Sequence, residues 1–501
     1  MHNRGLRLFA LSAMCFTLAA HAEQTGVPRI VVNVLINGLR SDYLQTYAPR
    51  FGERGFKRLE REAMIFTQVE YPYGKPDKAS AAACFATGAS PMDNGIVSET
   101  WLDRKLFRPI FCVEGSSYDG LHTTEKVSPE KLLVSTMGDE LKVATEGTCL
   151  VYGVAPDREM STLMAGHAGD GAFWINDDTG HWCSTSYYGE YPDWAETYDR
   201  NNGLERRISK LAWEPMHVDA VTGEGKENKP FSHTFTGERR YKEYKASGLV
   251  SEETVAFAVH LMESTQMGMD AATDMLSVGL YAGSFDHRSE QQFADEVEDT
   301  YVRLDKSIST LIDAVERKVG QGRALFVVTS TGVTETETEQ DLARYRIPTG
   351  TFNITRASLL LNMYLVAVYG QGQWVEAVMG DEIFLSRSLM ERHTVNVTEM
   401  LQRSCDFLMQ LSGVKDVTPM RHPILGDLKI KAAPGWVILN EETGKQIVSR
   451  ESYVGFPLYF LGGGVSRQKV DTPVTIDRVA PTVSRAIHIR APNGCGKAPL
   501  F

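Results

Sequence analysis

Residues 73–88, YGKPDKASAAACFATG, form a loop that climbs into a small-residue helix start and closes at Thr87-Gly88. Such a setting suits an attacking hydroxyl, because a helix N-terminus favours the negative charge that develops there. The position where the nucleophile is expected holds Lys78, while Ser80 and Thr87 carry the nearest hydroxyls. Without a partnering base, those two read as helix-cap and turn residues. Asp286-His287 is the one adjacent acid–imidazole pair that could bind a metal, although neighbours in an extended segment point to opposite sides. His167 in AGH reads as a structural hydrogen-bonding histidine. The aromatic set Trp174, Trp182, Tyr187, Tyr188, Tyr191 and Trp194 reads either as insertion core or as a recognition surface.

The elements that must position these residues are legible as apolar runs. IVVNVLI (30–36), TCLVYGV (148–154), MLSVGLYAG (275–283) and ALFVVT (324–329) have the continuous β-branched character of strands buried on both faces. Between them lie helical patterns, above all 293–320, where apolar residues recur at three and four. Alternating strands and helices predict an α/β protein with a mainly parallel central sheet flanked by helices, and such sheets place chemistry at the carboxyl ends of strands. The residues following each strand therefore matter most: Asn37, Arg158, Ser284 with Asp286, and Ser330 with Thr331. Residues 168–250 and 346–440 break the rhythm and are expected as cap insertions over that end of a single domain (23–501), since no Pro/Ser-rich linker isolates them.

Several segments together resemble the phosphate-irrepressible (PafA-type) alkaline phosphatases of the alkaline phosphatase / nucleotide pyrophosphatase–phosphodiesterase superfamily. They are INGLRSDYL (36–44), ATGASPMDNGIVSETWLD (86–103), SPEKLLVSTMGDELK (128–142), MAGHAGDGAFWINDDTGHW (164–182) and EVEDTYVRLD (296–305). NMYLVAVYGQGQWV (362–375), GDLKIKAAPGW (426–436) and VAPTVSRAIHIRAPNGCGKAPL (479–500) continue the match in order over nearly the whole chain. The resemblance implies a three-layer alkaline-phosphatase-like fold with cap insertions. It also implies two-zinc phosphoryl transfer, with Asp and His ligands, a Thr nucleophile, and Lys, Arg and Asn on the phosphoryl oxygens.

Position by position this sequence departs from that chemistry. Asn37 stands where the first metal-binding Asp is expected, Lys78 at the nucleophile, Glu99 at the phosphate-binding Asn and Pro156 at the phosphate-binding Lys; Arg158 survives. Ser284 and Arg288 replace an Asp–His metal pair, Thr331 falls in a shortened version of another, and Gln446 aligns near the last His. Two gained cations beside a bimetallic site would each repel a unit charge by about 4 kcal/mol at ~4 Å and an effective dielectric of ~20. The resemblance thus leads to an inactive homologue with no cofactor, its role binding or scaffolding. The alternative is an active zinc-dependent phosphoric ester hydrolase working through an unrecognised site, with Asp286 and His287 as its metal candidates. Lys78 is either an anchor for an anionic ligand or an ion-pair plug against Glu99, and the plug is favoured as the simplest filling of a cavity without metals. Lys78, Arg158 and Arg288 are the anion-binding candidates, and the old pocket is expected to be net positive.

Composition narrows the partners. The 501 residues carry a formal charge of −12, which argues against bulk binding of nucleic acid. Residues 1–22, with Arg4, Arg7, an apolar run and an AHA ending, read as a secretory signal, and no later run is long enough for a membrane anchor. A periplasmic or secreted protein that binds an envelope protein or an anionic ligand is expected. Beyond the signal lie Cys84, Cys112, Cys149, Cys183, Cys405 and Cys495, whose 15 pairings the sequence leaves open.

Overall fold

The computed structural model describes residues 26–74, 76–217, 230–287, 292–332, 346–448 and 455–501. The proposed signal segment and Arg288 lie outside the described residues.

Eleven strands form one central sheet. Eight are used below: β1 (Ile30–Asn37), β2 (Met64–Glu70), β3 (Val151–Val154), β4 (Gly171–Ile175), β5 (Trp182–Thr185), β6 (Asp274–Tyr281), β7 (Ala324–Ser330) and β8 (Phe456–Gly462). Their order across the sheet is β2-β8-β7-β1-β6-β3-β4-β5. The five central strands, β7 to β4 in that order, run parallel, while β8 and β5 are antiparallel to their neighbours. The sheet is therefore mixed, with a parallel heart.

Strand β1 shows why its sequence has no polar face. Val32, Val34 and Ile36 enter an apolar cluster shared with helices Leu249–Ser264 and Ala294–Val319. Val31 and Leu35 point the other way, into a cluster with Ala79, Ala82 and Phe85 of helix Lys78–Thr87. Alternate residues meet opposite layers, so both faces must be apolar. All side chains of Ala79–Thr87 are buried.

Two expectations change. The range 168–250 contains β4 and β5, which extend the central sheet; only the segments that follow, helix Asp193–Asn202 through helix Arg240–Lys245, elaborate its edge. Trp174 and Trp182 sit on these strands fully buried, and Trp182 stacks on Phe257 at 3.9 Å, so the polar letters between them disguised sheet residues. The range 346–448 builds a four-stranded and a three-stranded sheet of its own around a separate apolar cluster that includes Leu361, Trp374, Leu401 and Ile430.

Candidate functional site

Strands β7, β1, β6 and β3 are adjacent, so the residues that follow them gather along one edge of the sheet. Beyond β1 the chain turns at Gly38 (φ +82°), where a side-chain Cβ would lie 3.2 Å from the Gly283 nitrogen. Thr331 Oγ1 donates to Asn37 Oδ1 at 2.9 Å, and Thr331 N donates to Ile36 O. Ser330 Oγ donates to Leu39 O at 2.9 Å. Ser284 is buried, and its carbonyl accepts from Tyr281 Oη at 2.6 Å. Neutral amide and hydroxyl groups thus tie Asn37 to Thr331, and Ser284 is tied back to Tyr281 of the strand before it.

Those groups do not fit zinc, which takes carboxylate, imidazole or thiolate. Asn37 offers a neutral amide oxygen that already accepts from a hydroxyl. Among the described residues no group of three His, Cys, Asp or Glu side chains could hold a metal ion. Asp286 and His287 both adopt left-handed backbone conformations (φ +49° and +55°), and Asp286 pairs with Arg239 at 2.9 Å. His287 Nδ1 lies 3.3 Å from Tyr281 Oη.

Helix Lys78–Thr87 is launched by a capping box: Asp77 Oδ1 accepts from Ser80 N at 2.8 Å, and Ser80 Oγ accepts from Asp77 N at 3.0 Å. Ser80 is thereby occupied, and Thr87 Oγ1 donates to Ala83 O. The second oxygen of Asp77 accepts from Glu99 N at 2.5 Å. One cap therefore fixes both Lys78, the first helical residue, and the segment carrying Glu99.

Lys78 Nζ lies 3.4 Å from Glu99 Oε1, 3.4 Å from Asp157 Oδ1 and 3.8 Å from Glu159 Oε2. Asp157 is shared with Lys245, whose Nζ is 3.2 Å from it and 2.7 Å from Asp177. Arg158 pairs with Glu159 at 3.0 Å and with Glu125, and its guanidinium lies over the Phe111 ring at 4.3 Å. Pro156, on the turn from β3, is buried and only its carbonyl is engaged, by Ile175 N.

Burial alone would lower the Lys78 ammonium, but Asp157, Glu159 and Glu99 together hold it well above its usual range. Burial pushes the Glu99 carboxyl up to about 7; Lys78 pulls it down, and Glu159 and Asp157 oppose that pull. Asp157 resists the upward push of burial because Lys78 and Lys245 hold it well below the carboxylate range.

Among the described residues these contacts do not add up to the expected net positive charge; Arg288, which that expectation counted, lies outside them. Among the described residues Lys78, Arg158, Lys245 and Lys242, the last 4.0 Å from Asp177, face five carboxylates: Glu99, Glu125, Asp157, Glu159 and Asp177. Lys78 and Arg158, the anion-binding candidates, are both paired with acids. Sequence reasoning overlooked Lys245, Asp177 and Glu125, which arrive from a helix and loops distant in the chain. No local signal marks them.

Other candidates fall elsewhere. Gln446 is exposed on strand Gln446–Val448, paired to Leu439 in the separate three-stranded sheet, so its correspondence to a metal-binding His does not hold. His167 bridges Asp139 (3.1 Å) and Leu132 O (3.0 Å). Tyr187, Tyr188 and Tyr191 direct their hydroxyls to His167 O, Gly166 O and Trp182 O, and Trp194 packs 5.5 Å from Phe257. The aromatic set is packing. All six cysteines are free thiols.

The crystal structure of wild-type alkaline phosphatase PafA matches with a TM-score of 0.77 at 25% identity, covering 95% of this chain and 98% of that one. In sequence the chain is 26% identical over 515 residues to alkaline phosphatase PafA of Elizabethkingia meningoseptica, covering 94% of each. Alkaline phosphatase PhoV of Synechococcus elongatus is 26% identical over 513 residues, covering 93% of this chain and 91% of the relative. The family model for type I phosphodiesterase / nucleotide pyrophosphatase matches residues 31–455. With an alkaline-phosphatase-like sheet carrying these strand ends, the chain belongs to the type I phosphodiesterase / nucleotide pyrophosphatase family.

Proposed function

We propose that this chain is a non-catalytic member of its family, a pseudophosphatase exported to the cell envelope, where it binds or scaffolds a protein partner. The observation that carries the reading is Lys78. At the helix start where the resemblance places the nucleophile, an ammonium sits within 3.4 Å of Glu99 and Asp157. An ammonium held charged by three acids cannot attack phosphorus, and it fills the space a metal cation would need. The neutral groups at Asn37, Ser284 and Thr331 support the same reading. A protein partner is preferred to a small anion in this pocket, because the cations described there are already paired with carboxylates.

Full-length likeness to alkaline phosphatases favours the second reading, a zinc-dependent phosphoric ester hydrolase. One experiment separates the two: metal analysis of the purified protein together with hydrolysis of an aryl phosphate. The pseudophosphatase reading expects no stoichiometric zinc and no more turnover than a Lys78→Ala control. Turnover abolished by a chelator and restored by zinc would sink it.

A further inference from the structure

A cavity of ≈ 660 Å³ lies in the 346–448 region, lined by none of the strand-end residues. Its size is that of a small-molecule site. Met390 and Leu401 form a buried floor, Val395 and Met420 are half-buried, and Val397 stands exposed at the mouth. Three basic side chains share the lining: Arg387, Arg421 and His422.

Their pairing is uneven. Asp427 accepts from Arg104 at 3.0 Å, from Leu385 N at 2.7 Å and from Arg387 at 3.2 Å, so two guanidinium groups share one carboxylate. Arg387 also donates to His422 O at 2.7 Å. Arg421 donates to Thr398 Oγ1 and has no carboxylate partner among the described residues. Glu391, the other acid in the lining, is exposed. In the lining itself Arg387 and Arg421 stand with Asp427 and Glu391, and Arg104 takes part of Asp427 from behind. His422 Nδ1 accepts from the backbone N–H groups of Ile424 and Leu425, which leaves Nε2 to carry the hydrogen of the neutral ring. Thr398 lies in the first turn of helix Val397–Leu408, whose N-terminal dipole adds to the same positive side.

We propose that this cavity binds a small amphipathic anion: an aliphatic chain lying on Met390, Val395 and Leu401, with a terminal carboxylate or phosphate monoester held at Arg421. An apolar floor rewards the chain by area, and an unpaired guanidinium rewards the head by charge-assisted hydrogen bonds. The assignment is independent of whether the strand ends are catalytic, since it uses none of their residues.

Calorimetry on the full chain tests it with octanoate and octyl phosphate as probes, and octanol and inorganic phosphate as half-ligands. At least one amphiphile binds in the micromolar-to-millimolar range, and each half-ligand binds about tenfold more weakly or worse. Arg421→Gln and Val397→Glu, both at exposed positions, each weaken the amphiphile about tenfold. Lys78→Met leaves its affinity unchanged. Absence of binding by both amphiphiles at millimolar concentration overturns the proposal. So does octanol binding as tightly as octanoate, or wild-type affinity in variants that circular dichroism shows to be folded.

Discussion

Replacing Lys78 by methionine keeps the side-chain length and removes the charge that Glu99, Asp157 and Glu159 share. Breaking a buried pair from one side costs about 3–5 kcal/mol. Here Asp157 keeps Lys245 and Glu159 keeps Arg158, while the Glu99 side chain is 38% exposed and screened by solvent. The discounted loss is about 2–3 kcal/mol at pH 8. For a chain of this length that is a fall in Tm of about 2–3 °C. The sign with pH follows from which groups titrate. The raised Lys78 pKa means its contribution is fully present below the ordinary lysine value and lost only as pH rises through the higher folded value, so Lys78 itself is constant between pH 5 and 8. Glu99 is raised from 4.5 to about 7, so the folded state holds the extra proton across that interval and stability from this group falls as pH rises through it. Without Lys78 that carboxyl rises further and the fall steepens. Thermal unfolding of wild type and Lys78→Met at pH 5 and pH 8 should therefore show the larger deficit at pH 8. Adding Glu99→Gln should recover part of it. A deficit equal at both values, or larger at pH 5, would refute the ion-network account of this pocket.

Asp77→Ala removes the capping box and the acceptor for Glu99 N, and should lower the urea midpoint by an amount equivalent to about 1–2 kcal/mol; Asp77→Asn keeps an acceptor for Ser80 N but not for Glu99 N, and should recover part of the loss. If Asp77→Ala unfolds like wild type, the cap does not organise this segment. Gly38→Ala forces a side chain into a left-handed turn 3.2 Å from the Gly283 backbone, and should cost about 1–3 kcal/mol in the same assay. An unchanged midpoint would show that the β1 turn relaxes freely.

Much of the frame could be read from local pattern. Residues 30–36 and 324–329 lack a polar face because helices cover both sides of the sheet, and that requirement is written into every second residue. The long helix expected over 293–320 is found as Ala294–Val319, because its apolar spacing repeats over seven turns and one face must be buried. Strands β4 and β5 escaped detection for the opposite reason. They are short, with the polar stretch NDDTGH between them, and only pairing to β3 makes them part of the sheet.

Asn37, Ser284 and Thr331 beyond the strand ends, and Lys78 at a helix start, are readable from local pattern, because apolar strand runs and a small-residue helix start mark their neighbours. What surrounds them depends on the folded chain. Lys245 reaches Asp157 from 88 positions away, and Glu125 reaches Arg158 across a loop. Charge balance in a cleft is a sum over neighbours in space, and Coulomb attraction takes no account of distance along the chain. That is why a pocket expected to be positive carries more acids than bases among its described residues once the fold closes around it.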